Sequence, residues 1–300
     1  MLGLFWPSGP LNLFYAMHLY PTNNSKVLLG GSMAELVMEK IEERFGEYVA
    51  KFKEFLHDKY YSALVTAANE EKPLIMDFKV LDKWLPDLAE ILLDKPTVFF
   101  EISEEAVKQT ELPDFVTIRV SNLSDPVAIR DLRAKHIGKF SCTEGIVRRA
   151  SEIRPEIMRT IWECPECGED ITQERLGNII FNPLFCACGN KRGFKQRDKV
   201  MIDTRWITIE EPFELTEGER PSQLNIVMRA DLVSPDGRII TEPGNRLKIN
   251  GVLKEIPKGK LISAKLDFYL DANYVEPTEI GWERIKLTKE DEEAIIEMAK

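Results

Sequence analysis

Four of the chain's five cysteines fall in one short stretch: Cys164 and Cys167 as C-x-x-C in "CPECG", and Cys186 and Cys188 as C-x-C in "CACG". Two turn-borne pairs of thiolates supply the soft tetrahedral ligand set that zinc takes. Pro165 and Gly168 help the first pair fold back, and the 18 residues between the pairs leave room for a short hairpin. Four protein ligands would close the coordination sphere, so the expectation is one structural zinc per chain and no catalytic metal. Two disulfides would also use four thiols, but no secretion signal accompanies them. A redox C-x-x-C would leave the second pair unexplained. A rubredoxin-like iron site is a further use, and the shortened C-x-C leaves room for a histidine in place of one thiol. Cys142 lies inside a strand-like run and is expected in the core.

Basic side chains are the second chemical resource. The 300 residues carry 40 Lys+Arg against 50 Asp+Glu, a net charge of -10, but unevenly. Residues 33–117 hold 10 basic and 19 acidic side chains; 118–160 hold 9 and 5, 191–206 hold 6 and 2, and 246–265 hold 6 and 1. Three basic islands between acidic ends suggest a polyanion site on one part of the molecule. Arg148 and Arg149 are consecutive in a strand-like run, so regular pleating would send them to opposite faces. Lys254, Lys258, Lys260 and Lys265 flank "IPKGKL", where Pro257 and Gly259 suit a tight turn. These residues are either phosphate contacts or solvated charges that keep a surface soluble. Trp206 is either a stacking platform for a base or a core residue.

Other chemistry is thinly supplied. No G-x-x-x-x-G-K-[ST] occurs, so ATP should not be bound or hydrolysed by this chain itself. With His18, His57 and His136 as the only histidines, no triad or open metal site emerges. No stretch is long and apolar enough to cross a membrane, and the start lacks a basic n-region, which points to a cytoplasmic protein. Residues 1–32 read as a leader that is not native or not ordered: regular patterning begins at Met33, and Gly30-Gly31 before it could encode a ribosome-binding sequence. The alternative is a genuine N-terminal arm.

The elements that must position these residues are of two textures. Met38, Ile41, Phe45, Val49, Phe52 and Leu56 recur at helical spacing. Leu88, Ile91 and Leu92 sit in a short helix between Pro86 and Pro96, and "EEAVKQTE" suggests another. Residues 33–114 are thus expected to form an acidic helical domain. From about 115 to 275 come short β-rich runs: "FVTIRV", "IGKFSCTEGIVRRA", "EIMRTIWE", "RWITIEE", "QLNIVMRADLV", "RLKINGVLKEI" and "LISAKLDFYL". Strands without intervening helices suggest a small barrel, interrupted by the cysteine segment at 162–192 and carrying a hairpin at about 252–268. Thr288 with Asp291 resembles a capping box, so 276–300 is expected to lead into a new helix.

"LPDLAEILLDKP", "IRDLRAKHIGKFSCTEGIVRRASEIRPEIMRTIWECPECG" and "ADLVSPDGRIITEPGNRLKINGVLKEI" together resemble the N-terminal half of an archaeal minichromosome maintenance (MCM) replicative helicase, over about residues 34–300. The resemblance implies an α+β, mainly β fold: a small helical bundle, then an oligonucleotide-binding (OB) barrel with an inserted zinc ribbon and a protruding hairpin. It implies a collar that encircles single- or double-stranded DNA as a homo-oligomer, a hexamer or double hexamer, near the nucleoid. It also implies a link through "LTKEDEEAIIEMAK" to an AAA+ motor that this sequence does not contain. The DNA contacts it implies are Arg148 and Arg149 in "EGIVRRA", Arg205 in "TRWITIEEP", and Lys254, Lys258 and Lys260 in the hairpin. It places a motor-communication loop at about 211–223, including Glu211, Glu219, Arg220 and Gln223. Two departures stand out: the second cysteine pair is C-x-C where the family has C-x-x-C, and Thr208 stands where a channel-facing basic residue is usual. A zinc-ribbon and OB adaptor without a helicase partner, of the single-strand-binding or transcription type, is the alternative.

Overall fold

The apolar spacing between Phe45 and Lys108 produces four helices. In the computed structural model, which describes residues 44–110, 116–123, 125–174, 180, 182–216, 218, 220–256 and 267–278, α1 spans Phe45–Glu70 and buries Tyr48, Val49, Phe52, Phe55, Leu56, Leu64 and Ala67. Met38 and Ile41 lie outside the described residues. Helix α2 (Phe78–Trp84) is N-capped by Asp77, whose side chain accepts from the Lys79 amide. Helices α3 (Pro86–Asp94) and α4 (Pro96–Lys108) each start on a proline, whose fixed φ and missing N–H suit the first turn. Phe52 meets Phe99 of α4 edge-on, with centroids 5.6 Å apart. Leu88, Ile91 and Leu92 are buried as expected.

One strand breaks into this helical stretch. β1 (Leu74–Asp77) pairs in parallel with β2 (Ile118–Ser121) in a two-stranded sheet of its own. The run at 115–120, expected to join the barrel, therefore does not where it is described, from Val116 on. Barrel side chains hold its backbone instead: the Val120 amide donates to Asn273 Oδ1 (2.8 Å), and Asn250 Nδ2 donates to the Val120 carbonyl (2.9 Å).

The larger sheet holds β3 (Phe140–Ala150), β4 (Arg154–Glu163), β5 (Asp170–Glu174), β6 (Lys195–Glu210), β7 (Gln223–Arg229), β8 (Arg246–Glu255) and β9 (Phe268–Pro277). Its order is β3-β8-β9-β7-β6-β4-β5, and a further β3–β6 pairing closes five of the strands into a barrel. Around the barrel the order is β3-β6-β7-β9-β8, antiparallel except for the parallel β7–β9 pair. That Greek-key closure is the OB barrel. Alternating apolar positions fill it: Val147, Ile207, Ile209, Leu224, Ile226, Met228, Leu247, Ile249, Leu253 and Leu270. Between Ser234, whose hydroxyl caps it, and the turn at Thr241 lies the short helix α5 (Pro235–Ile240).

β4, β5 and the cysteine segment are inserted between the barrel's first two strands, β3 and β6. β6 has 16 residues and serves both parts. Its first half pairs with β4, from Lys195↔Glu163 to Thr204↔Arg154, and its second half with β7 and β3. β8 and β9 form the stems of the expected hairpin, closed at its outer end by the Ile256 amide on the Asp267 carbonyl (2.7 Å). Lys258 and Lys260 lie outside the described residues. All these elements fall within one compact unit, Phe45–Lys300.

Candidate metal centre and nucleic-acid interface

The two cysteine pairs converge. The Sγ atoms of Cys164 and Cys188 are 3.6 Å apart, those of Cys167 and Cys186 are 3.5 Å apart, and all four ligand atoms lie within 4.8 Å of one another. All five cysteines are free thiols, so the disulfide alternative finds no support. A tetrahedron with metal–sulfur bonds of about 2.3 Å has edges of about 3.8 Å, which this cluster nearly matches. Each pair sits on a tight turn closed by a glycine in the left-handed region. The Gly168 amide (φ 71°) donates to the Cys164 carbonyl, and the Gly189 amide (φ 93°) to the Cys186 carbonyl. The second turn is one residue shorter, yet it still delivers Cys188 to the cluster, so no histidine is needed. Asn190 braces the centre, with Nδ2 3.5 Å from Cys164 Sγ and 2.8 Å from the Arg192 carbonyl. Cys142 is apart from the cluster and buried among the β3 core positions, and burial pushes its thiol up to about 12. The residues present therefore fit a structural zinc ion.

The outer face of the barrel carries a cross-strand row: Arg149 opposite Thr208, Thr208 opposite Asn225, Asn225 opposite Tyr269 and Tyr269 opposite Lys254. Thr208 donates to Asn225 Oδ1 at 2.9 Å. Trp206, two residues before Thr208, shares this face; its ring centroid is 5.3 Å from that of Tyr269. Trp206 is half-buried and is not among the barrel core residues, so the core expectation for it fails. The alternation of β6 explains this, because Ile207 and Ile209 take the inward positions.

The arginine pair also differs from the simple alternation. The β3–β6 ladder skips from Val147 to Arg149, so Arg148 is the extra residue of a bulge, and both arginines are exposed. Arg148 Nη2 donates to Glu210 Oε1 at 2.7 Å. Arg149 has no ion-pair partner among the described residues. Lys254 pairs with Asp271 (2.7 Å), which also accepts from Arg229.

Arg205, expected at the DNA, is buried instead, with 5% of its surface exposed. It is one residue out of phase with Trp206 and Thr208. Its guanidinium donates to the carbonyls of Ser151 and Arg238 (3.1 Å each) and to Thr241 Oγ1 (2.7 Å). Burial lowers its pKa. It fastens the α5 turn to the barrel and cannot stand in for a basic residue at 208.

At the end of β6 the two consecutive carboxylates diverge. Glu211 is buried and clips the following loop: it accepts from the Arg130 amide (2.8 Å), from Arg130 Nε (3.1 Å) and from the Ser222 amide (3.2 Å). Glu210 faces outward and accepts from Arg148 and from Gln223 Nε2 (2.8 Å). Those two contacts, Arg148's first, hold its carboxyl below the usual carboxylate range. Arg220 is exposed, and Glu219 lies outside the described residues. Sequence reasoning missed Glu210, Asn225 and Tyr269. Their only signal is the register, which a linear pattern does not display.

A closed barrel of this order, with a polar, aromatic and basic outer face and a four-thiol insertion, defines an OB-fold domain of the zinc-ribbon-bearing kind. Residues 128–257 match the MCM OB domain family. Over 291 residues the chain is 23% identical to the minichromosome maintenance protein MCM of Saccharolobus solfataricus, covering 89% of this chain and 42% of that protein. Over 189 residues it is 28% identical to the DNA replication licensing factor MCM7 of Arabidopsis thaliana, covering 58% of this chain and 26% of the relative. The chain therefore spans less than half of either relative's length. Its fold is similar to a crystal structure of the N-terminal domain of an archaeal MCM, with a TM-score of 0.66 at 23% identity, covering 78% of this chain and all of the other. The likeness to an archaeal MCM N-terminal domain, read first from the motifs, is borne out. What the chain matches is such a domain and not an ATPase motor. No helix among the described residues is long and apolar enough to cross a membrane.

Proposed function

We propose that this chain is the DNA-binding, oligomerising collar of a ring-shaped replicative helicase, acting in the cytoplasm at the nucleoid. The observation that carries this reading is the outward row Arg149–Thr208–Asn225–Tyr269–Lys254 on a closed OB barrel. A backbone phosphate is attracted to Arg149, the one arginine of the pair not engaged by a carboxylate, and such contacts bind without reading sequence. Trp206 against Tyr269 offers an aromatic surface for an unstacked base, a contact that tolerates any sequence. Thr208 and Asn225 supply neutral hydrogen-bonding groups where a second basic residue is usual in the family. Lys254 at the hairpin stem, with Lys258 and Lys260 beyond it, would add positive charge along the strand's path.

Within this reading, residues 33–114 form the acidic helical domain, 115–275 the OB domain with its ribbon at 162–192 and with β2 lying against the barrel rather than in it, and 276–300 the link toward an AAA+ motor in a longer protein. Zinc, one ion per chain, would be held by Cys164, Cys167, Cys186 and Cys188, which it cross-links into one knuckle pair. The loop at 211–223, clipped at both ends by Glu211, would face the motor. Copies of the chain would assemble as a hexamer or double hexamer around single- or double-stranded DNA.

The test is fluorescence anisotropy with single- and double-stranded oligonucleotides at several salt concentrations, alongside light scattering for particle mass. Arg149→Ala should weaken single-strand binding more than duplex binding. Lys258→Ala with Lys260→Ala should weaken both and flatten the salt dependence. A chain that stays monomeric and binds only single strands would favour the adaptor alternative, and one that binds neither DNA form would refute the DNA reading outright.

A further inference from the structure

Glu210 stands at a junction. Its register partners are Ile146 on β3 and Gln223 on β7. Both carboxylate oxygens are engaged: Oε1 by Arg148 at 2.7 Å and Oε2 by Gln223 at 2.8 Å. The Glu210 side chain is 13% exposed, whereas that of Arg148 is 58% exposed. The bulge is what allows this. As the extra residue between Val147 and Arg149, Arg148 turns outward beside Arg149 instead of into the barrel. Two adjacent arginines thus reach the same face in different states: Arg149 is open to an incoming anion, and Arg148 already holds a carboxylate.

We propose that Glu210 is a positioning residue that masks Arg148 from phosphate, with Gln223 holding the mask in place. This rests on the DNA-binding reading above. A phosphodiester and a carboxylate carry the same charge and offer a guanidinium similar hydrogen bonds. Phosphate arriving at Arg148 therefore exchanges one partner for another, and the net gain is small. Arg149 makes its contact without giving one up. The arginine beside the family's usual contact thus adds little affinity while Glu210 is ionised. Because Gln223 sits at the foot of the 211–223 loop, a shift of that foot moves the mask.

The experiment is a double-mutant cycle read by anisotropy, using a fluorescein-labelled oligothymidylate at several salt concentrations. Glu210→Gln keeps the shape and the Gln223 contact but removes the charge. It should tighten single-strand binding about three- to tenfold and steepen the salt dependence by about 0.7, one further phosphate contact. Arg148→Ala alone should cost less than Arg149→Ala. In the Arg148→Ala background the gain from Glu210→Gln should vanish. A gain that persists there would be a general effect of net charge, and would overturn the proposal, as would no gain in the single variant. Gln223→Ala should give a smaller gain, also dependent on Arg148; no change or a loss would remove Gln223 from the arrangement. Failure of the unaltered chain to bind the oligonucleotide would instead refute the DNA reading on which the proposal rests.

Discussion

Replacing Cys188 by serine tests the metal centre most directly. Structural zinc in small knuckle folds contributes about 10–16 kcal/mol, and an even share over four thiolates assigns about 3 kcal/mol to each. Losing one should therefore weaken zinc binding by about two orders of magnitude. The knuckles have little else to hold them. Beside the cysteines Cys164 and Cys186, Pro183 is buried there, while neighbouring Leu184 and Phe185 are 66% and 51% exposed. Among the described residues, the barrel core contains none from the inserted segment. Two outcomes are expected together. Zinc content, measured after dialysis against a moderate chelator, should fall from about one per chain to a small fraction. Amide exchange should become fast around Cys164, Gly168, Cys186 and Gly189 while β3, β7 and β8 stay protected. Full retention of zinc with unchanged exchange in Cys188→Ser would show that the short C-x-C turn does not supply a ligand, and the four-thiolate assignment would fall.

The other expectations are simpler. A Cβ at Gly251 would lie 2.3 Å from the Asp271 carbonyl oxygen, so Gly251→Ala should destabilise the barrel by about 1–3 kcal/mol in denaturant titration. Arg205→Met should cost about 1–3 kcal/mol, because it leaves the Ser151 carbonyl without its guanidinium donor and removes one contact each from the Arg238 carbonyl and Thr241 Oγ1, yet single-strand affinity of the folded protein should not change. Trp206→Ala should weaken oligothymidylate binding by about 1–3 kcal/mol with a smaller effect on duplex, measured by anisotropy. Cys142, whose thiol burial pushes up to about 12, should resist iodoacetamide at neutral pH while the other four cysteines label after chelation; prompt labelling of Cys142 in the folded protein would contradict its burial.

What could be read from the sequence was local or periodic. The cysteine pairs announce themselves because their turns are a few residues long, and the structure brings them to one point as their spacing implied. The face from Phe45 to Leu56 and the prolines at 86 and 96 likewise mark their helices. What escaped depends on partners distant in sequence. β1 is four residues between Lys72-Pro73 and a helix cap, too short to show a period. Thr208 and Arg205 are three residues apart, and only the phase of β6 tells which faces outward. The bulge at Arg148 breaks that phase on the neighbouring strand, so alternation misjudged the arginine pair. Glu210 looked like one of several acids before a loop until the register put it between Arg148 and Gln223.

β6 passes from the metal knuckles to the barrel without a break. At about 3.3 Å per residue, its 16 residues make a spar of about 50 Å. The β4–β6 arm has two ladder irregularities: Met158 is the extra residue on β4, between Ile157 and Arg159, and Arg197 is the extra residue on β6, where the consecutive Ile161 and Trp162 face Asp198 and Gln196. From Asp198 to Glu210 the β6 ladders skip no further β6 residue, so torque applied on the barrel side of Arg197 meets no further bulge in β6 before it reaches Trp206, Thr208 and Glu210. A neighbour that grips the β4–β6 arm inward of Arg197 would turn the strand that carries those three side chains, as a handle turns a shaft.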